Sequence, residues 1–194
     1  ATPSLVIGFA SADITPPVGV TLVGYKPRTS TSLAHTLRAE ALYVKDAASG
    51  AAWVLITSDT IGYPREYVLL VRSKIARRTG LAPEVVLISG THTHSGPPVS
   101  YFGSDTPTAF DLQYLEALQD KLADLVANAV ADARPGTLET AWTEAPTLGS
   151  NRRIQGPDGK WTNEWIDAEG RHPGYFDPAV LLVGLRRPDD KLDA

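Results

Sequence analysis

The chain contains no cysteine. A disulfide framework and a thiolate-ligated zinc site are therefore excluded, and any bound metal must use His, Asp, Glu or Tyr. Long apolar runs are also missing, and none approaches the ~20 residues that a membrane-spanning helix needs. Positive charge is not in excess. Lys and Arg number 18 against 22 Asp and Glu, for a net charge of -4, and no basic block stands out, which argues against a nucleic-acid partner. Hydrophobic residues at 43% and charged residues at 21% of 194 are the balance of a soluble globular protein, with the length of one domain or one plus a long excursion. Both a secreted or periplasmic and a cytoplasmic compartment suit this composition.

What is present reads as alternating strands and helices. Residues 5–14 form a strand stopped by Thr15-Pro16-Pro17, and 18–32, rich in Gly, Pro, Thr and Ser, form a loop. Residues 37–45 alternate, with Leu37, Ala39, Ala41 and Tyr43 on one side. A turn at 46–50 joins them to a continuous apolar strand at 51–57, which makes a hairpin. Residues 64–79 carry a helix, with Pro64 in its first turn, Gly80 as its stop, and Tyr67, Leu70, Val71, Lys74 and Ile75 at helical spacing. A buried strand at 83–89 follows. The clearest helix is 110–133, where Leu112, Leu115, Leu122, Leu125, Val126, Ala129 and Val130 make one stripe and Pro135-Gly136 ends it. Strands at 137–144 and 180–185 complete the order.

This order implies an α/β fold, a layered domain with a mixed β-sheet flanked by helices. Residues 1–194 read as a single domain, the N-terminal part of a larger catalytic domain. The polar run 188–194 is turn-like and should feed another strand. Between 146 and 177 lies a long irregular segment holding Trp161, Trp165 and His172. Loops of that length in a compact domain are usually functional or touch something else.

The most informative segment is Gly90-Thr91-His92-Thr93-His94-Ser95-Gly96-Pro97, directly after the apolar run Val85-Val86-Leu87-Ile88. It holds two of the four histidines, one residue apart, where a strand ends. In an extended chain residues i and i+2 face the same side, so both imidazoles can converge on one small object. Neutral imidazole is the commonest protein ligand for zinc, and each ring keeps one nitrogen for an orienting partner. A solvated pair in a Ser/Thr-rich loop is the plainer alternative, but the strand-tip setting favours a metal.

Other residues divide evenly or lean to structure. Asp59, at the tip of the 51–57 strand, is as readily a turn residue as a carboxylate facing a site. Asp13 reads as a turn-former before Pro16-Pro17. His35 reads as solvated, and His172 is not expected to be a ligand. Gly24-Tyr25 could offer a backbone N–H to an oxyanion, or could be a turn glycine beside a packing tyrosine.

Four segments, in order, resemble the neutral/alkaline (non-lysosomal) ceramidase family: Ala12-Asp13-Ile14-Thr15-Pro16-Pro17-Val18-Gly19, Val23-Gly24-Tyr25, Ser89 through Pro97, and Asn151-Arg152. The resemblance runs over nearly the whole chain. It implies a zinc-dependent amidase that cleaves an N-acyl bond, with His92 as a Zn2+ ligand. It also implies that His94 sits beside the metal to orient substrate, and that Arg152 lines the same pocket, where a guanidinium could bind a carboxylate or hydroxyl. A second histidine, a glutamate, a tyrosine and a serine nucleophile would lie beyond Ala194, in the remaining C-terminal part of the enzyme or a complementary chain. The run Asn151-Arg152-Arg153-Ile154 departs from the family's Asn-Arg-Ser form, so the expected substrate is ceramide or a related lipid-like amide.

Two other readings are a different His-x-His metallohydrolase and a non-catalytic chain. A metallo-β-lactamase type would want an Asp-His pair after His-x-His, where Ser95-Gly96 stands here. An amidohydrolase barrel would need more βα units than this chain has. A non-catalytic N-terminal subunit or fragment that binds a partner chain is distinguished from a zinc enzyme by carrying no metal, whereas a catalytic zinc takes about three protein ligands and leaves a position open.

Overall fold

The computed structural model describes residues 5–26, 28–99, 108–167, 170, 172 and 174–186. The polar run 188–194 lies outside the described residues. Within them the chain divides into two compact units, 5–137 and 138–186.

The first unit opens with β1 (Leu5–Asp13), then a small hairpin of β2 (Thr21–Leu22) and β3 (Arg28–Thr29) inside the segment expected to be loop. Next come β4 (Arg38–Asp46), β5 (Ala52–Ser58), α1 (Arg65–Thr79) and β6 (Val86–Gly90). Helix α2 (Ala109–Ala131) and β7 (Arg134–Glu144) follow. The second unit adds a hairpin of β8 (Arg153–Gln155) and β9 (Trp161–Asn163), and β10 (Ala179–Arg186). The sheet is mixed and six-stranded, in the order β10-β7-β1-β4-β5-β6, and β7 carries the chain from the first unit into the second. This is the α/β layered fold that the strand and helix order implies.

The β4–β5 hairpin turns because the Asp46 carboxylate accepts from Ala48 N, Ser49 N and Ser49 Oγ, while Gly50 supplies the left-handed φ of 74°. Strand alternation then sorts the faces. Ala39, Ala41 and Tyr43 of β4 and Val54 and Ile56 of β5 are buried in the main core, in register across the ladder, while Trp53 is 42% exposed. β5 and β6 are parallel, with Ser58 opposite Gly90. A parallel pair needs a crossover, and α1 supplies it. The expected buried strand at 83–89 is different in detail. Pro83–Val85 is a 3-10 turn, and β6 is an edge strand whose Leu87 is 60% exposed.

Helix α1 ends where Gly80 takes φ 73° and returns its N–H to Ala76 O. It buries Tyr67, Val71 and Ile75, which are four apart. Leu70 lies about 100° around the helix from that stripe and is exposed, and Lys74 reaches Asp120 of α2 at 2.8 Å. Helix α2 opens with a capping box: Thr108 and Asp111 each accept the other's backbone N–H. Its buried stripe is Leu115, Leu118, Leu122, Leu125, Val126 and Ala129. Each fully buried aliphatic side chain contributes about 1.5–3 kcal/mol relative to exposure. Leu112 belongs elsewhere. It sits about 90° from the centre of that stripe and is 52% exposed.

The helix stops earlier than Pro135-Gly136. Asp132 caps it and accepts the Phe9 N–H at 3.1 Å, which ties the helix end to β1. Pro135 and Gly136 instead lie in β7, opposite Val6 and Leu5. A proline near the start of a strand, in a ladder of three pairs, loses little by lacking its N–H. Gly8 of β1 faces the helix so closely that a Cβ would overlap the Ala129 carbonyl. No helix among the described residues is long and apolar enough to cross a membrane.

In the second unit, Arg186 of β10 forms a paired contact with Glu139 of β7, with Nε at 3.0 Å from Oε1. The β8–β9 hairpin falls within the expected irregular segment 146–177 and turns through Gly156, whose N–H donates to Lys160 O, and Gly159 at φ 75°. Leu181, Leu182 and Val183 of β10 are each about half exposed, and Trp142 of β7 is 70% exposed.

Helix–sheet spacing at Gly8 and the assignment of α2's faces are open to test together. Gly8→Ala should lose about 2–3 kcal/mol of stability through overpacking. Leu112→Ala should change it by less than about 0.5 kcal/mol, as exposed substitutions do. Urea unfolding midpoints decide, and a tolerated Gly8→Ala would mean that α2 does not sit on β1 as described.

Candidate metal and substrate site

Loops at the C-terminal tips of the parallel pair β5 and β6 build the candidate site, the end of such a pair where ligands usually bind. The two tips are laced together. Thr91 N donates to Ser58 O and His92 N donates to Thr60 O, both at 2.9 Å, so the ladder continues past the strand ends. Gly90 allows this, because a Cβ there would lie 2.7 Å from Thr60 O. Asp59 ties in the third tip. Its carboxylate accepts from Arg38 N at 2.9 Å and from Thr91 Oγ1 at 3.2 Å, and its N–H donates to Arg38 O. Of the two roles open to Asp59, these bonds describe the turn-fixing one.

His92 has φ 64°, the left-handed region that non-glycine residues rarely enter. Its Nδ1 lies 2.7 Å from Ile61 O. A carbonyl can only accept, so Nδ1 carries the proton and Nε2 keeps a free lone pair. The His94 ring stands edge-on to it, with centroids 5.1 Å apart. The two imidazoles therefore meet, though through a turned loop and not through the i, i+2 alternation of an extended strand.

His94 is held from the far side by the β2–β3 hairpin. The Tyr25 ring meets it edge-on at 4.9 Å, and the Arg28 guanidinium donates to the His94 carbonyl at 2.7 Å and lies 5.5 Å from the Tyr25 ring centre. Gly24, at φ 100°, lies so close that a Cβ would overlap the His94 ring. Gly24-Tyr25 is thus a turn glycine beside a packing tyrosine, and the tyrosine packs on His94 itself. Nδ1 of His94 is buried with no hydrogen-bond partner among the described residues. Beneath the tips, the buried Ser58 Oγ is 2.6 Å from Tyr63 Oη and 3.1 Å from Thr60 Oγ1. Burial raises the Tyr63 phenol above its ordinary value, against the lowering effect of those hydroxyls.

The hairpin that holds His94 is anchored to α2. Asp111 accepts from Thr21 N and Thr21 Oγ1, both at 3.0 Å, while also closing the capping box. Burial alone would raise this carboxyl; the bonds from Thr21 and Thr108 outweigh it and hold the group below its ordinary value of 3.8.

The remaining candidates are placed separately. Arg152 belongs to the second unit, where its guanidinium stacks 4.1 Å above the Trp165 ring. Beside it, Asn151 donates to Tyr175 O and accepts from Arg153 N. His172 is also in the second unit, 4% exposed at its side chain, with Nε2 3.4 Å from Glu164 Oε2. His35 is exposed. Asp13 accepts from Thr15 N at 2.8 Å, the turn role expected of it. No group of three or more His, Asp or Glu side chains suited to a metal occurs among the described residues. Sequence reasoning overlooked Arg28 and the Ile61 carbonyl. An arginine in a loop and a backbone oxygen carry no local signal.

The sequence model described as neutral/alkaline non-lysosomal ceramidase, N-terminal, matches residues 5–158. The crystal structure of neutral ceramidase from Pseudomonas aeruginosa is similar in fold, with a TM-score of 0.73 and 22% identity over 99% of this chain and 31% of that one. A ceramidase solved in complex with C2 is similar as well, with a TM-score of 0.70 and 22% identity over 99% of this chain and 30% of that one. No curated protein matches the chain in sequence. At such identities the structural likeness establishes the fold, and this chain spans less than a third of either solved chain.

Two expectations follow. Gly24→Ala forces a side chain into a left-handed position and against His94, so the His94 ring resonances should shift in imidazole-detected NMR while far-UV dichroism stays native; an unmoved His94 would refute the contact. Asp111 should contribute acid sensitivity. Its folded pKa is lowered, so its stabilisation is complete above the ordinary carboxylate range and is lost as pH falls through the folded value. Asp111→Asn should therefore narrow the gap between urea midpoints measured at pH 7 and pH 3.

Proposed function

Because this chain belongs to the neutral/alkaline non-lysosomal ceramidase family, we propose that it forms the N-terminal part of a zinc-dependent amide hydrolase that cleaves an N-acyl bond in ceramide or a related lipid-like amide. The observation that carries the metal is the Ile61 carbonyl at 2.7 Å from His92 Nδ1. It fixes the tautomer that leaves the Nε2 lone pair free, and zinc-binding histidines commonly donate their other ring N–H to a carbonyl or carboxylate in this way. The donor chemistry fits, since imidazole suits zinc and cysteine is absent.

His92 would hold the ion. Zinc held there would polarise an amide carbonyl and lower the pKa of a bound water to ~7. His94 would orient the scissile amide, its ring held in place by Tyr25 and Gly24. Arg152 would bind a substrate hydroxyl or the carboxylate product through its planar fork. Two histidines do not complete a catalytic zinc site, which takes about three protein ligands. The other ligands and the nucleophile would come from further polypeptide, in keeping with solved relatives of which this chain spans 31% and 30%. The half-exposed Leu181, Leu182 and Val183 of β10 support such a covering partner, whether in cis or as a separate chain.

The test uses the full-length protein. Elemental analysis should find about one zinc per chain, and His92→Ala should lose it while remaining folded by dichroism. Full retention of metal in that variant would refute the ligand. Against a panel of N-acyl amides that includes ceramide, the wild type should release free amine. Turnover confined to esters, sugars or phosphates would refute the reaction class.

A further inference from the structure

Ser58, Thr60 and Tyr63 take no part in ligation or in holding a substrate, yet their hydroxyls converge on one point. Ser58 Oγ lies 2.6 Å from Tyr63 Oη, 3.1 Å from Thr60 Oγ1 and 3.3 Å from the Ser89 carbonyl. A carbonyl only accepts, so with all three bonds made the Ser58 proton goes to Ser89 O. Tyr63 and Thr60 then donate to the two lone pairs of Ser58 Oγ, which is left saturated. One hydroxyl thus joins the end of β6, the loop after β5 and the entrance to α1. Ser58 and Thr60 are 3% and 0% exposed, so water is poorly placed to stand in for a lost partner.

The same short turn carries the Ile61 carbonyl that meets His92 Nδ1. That carbonyl belongs to the peptide between Ile61 and Gly62. Gly62 has φ 141° and open space where a Cβ would stand. A peptide beside glycine meets little steric resistance to rotation, so local backbone preference does not fix the direction of the carbonyl. The residues on either side do. Thr60 is held by its N–H to Ser58 O and by its carbonyl to His92 N, both at 2.9 Å, and its hydroxyl ends on Ser58 Oγ. Tyr63, beyond the glycine, ends on the same atom. Gly90 lets the two tips meet, and closure of the turn on Ser58 Oγ keeps Ile61 O aimed at the ring.

We propose that Ser58 is a positioning residue for His92. With Thr60 and Tyr63 it holds the Ile61 carbonyl in place, and through that carbonyl it keeps the imidazole proton on Nδ1 and Nε2 free. Which ring nitrogen of a histidine carries the proton is set by the hydrogen bond of the other, so loosening the turn releases the proton to either nitrogen. The inference rests on the bond between His92 and Ile61 and not on the zinc or amidase reading. It is tested without metal and without turnover, so its failure and theirs are told apart.

Full-length protein with isotope-labelled histidine is cleared of metal by a chelator and held at about pH 8.5, where imidazole is ordinarily neutral. Long-range nitrogen–proton spectra then give the ratio of Nδ1–H to Nε2–H tautomers at His92. The wild type should be mainly Nδ1–H. Ser58→Ala and Thr60→Val should each move the ratio towards Nε2–H by about tenfold, the factor that one hydrogen bond of ordinary strength carries. Thr60→Ser, which keeps the hydroxyl, should restore it. Ile56→Val, at a buried position of β5 away from the turn, should lower the urea midpoint and leave the ratio unmoved. A wild type that is mainly Nε2–H would overturn the proposal. So would a ratio unchanged in Ser58→Ala and Thr60→Val, or an equal shift in Ile56→Val, which would trace the effect to packing at large. If Ser58→Ala does not fold, the two Thr60 variants decide, and a ratio that Thr60→Ser leaves where Thr60→Val put it would overturn the role of the hydroxyls.

Discussion

Gly90 ends β6 against the backbone of the neighbouring tip, where a Cβ would stand 2.7 Å from the Thr60 carbonyl. Without one, the β5–β6 ladder runs on through Thr91 and His92. That extension turns the Ile61 carbonyl towards His92 Nδ1 and sets the tautomer of the ring. It also presses His92 into the left-handed region. A side chain at position 90 would part the two tips, and the bonds at Ile61, Asp59 and Thr91 would go together. The orientation of the His92 ring depends on this close approach of two backbones.

The opposite support comes from farther along the chain. The cap of α2 holds Asp111, Asp111 holds Thr21, and the short hairpin that begins there brings Tyr25 and Arg28 to His94. Most of these contacts are hydrogen bonds of about 1 kcal/mol net, somewhat more where a charge takes part. None of the contacts at His94 is a charge pair, so salt should loosen them little. A loop rich in Gly, Pro, Thr and Ser would otherwise be free to move. Here it is pinned at one end by a helix terminus and at the other by an imidazole.

The elements that could be read in the sequence were those with a local cause. Asp46 to Gly50 is a turn by its own chemistry, and alternation from Ala39 to Tyr43 exposes one face of β4. Gly80 stops α1 because only glycine takes that φ at no cost. The pairing of His92 with His94 was legible from spacing, but for an incomplete reason: the loop turns, and alternation does not bring the rings together. What escaped was set by tertiary contact. Leu70 and Leu112 look like core and are exposed, because a stripe three or four residues wide leaves flanking leucines outside. Pro135-Gly136 looks like a helix end and is strand, because Asp132 had already capped the helix and bonded to β1. Arg28 has no sequence signal at all, since its partner is a backbone carbonyl 66 residues away.

Strain and bonding are unevenly distributed at the β5–β6 tips. Beneath the tips, the hydroxyls of buried Ser58 and Thr60 and of half-buried Tyr63 bond one another. A satisfied network of that kind stiffens what it touches. Directly above it, His92 occupies a backbone region that costs about 1–3 kcal/mol, and His94 has a buried nitrogen with no partner among the described residues, which costs a similar amount. The two costs have separate remedies: a glycine at 92 would relieve the backbone, and an apolar side chain at 94 would leave no unbonded nitrogen. They persist because Gly90, Asp59 and the hairpin over-determine the loop from three sides. In the first unit, then, the described residues place one unmet buried nitrogen, on His94, beside the strained backbone of His92 and above hydroxyls that bond one another, and packing within the described residues supplies no partner for that nitrogen.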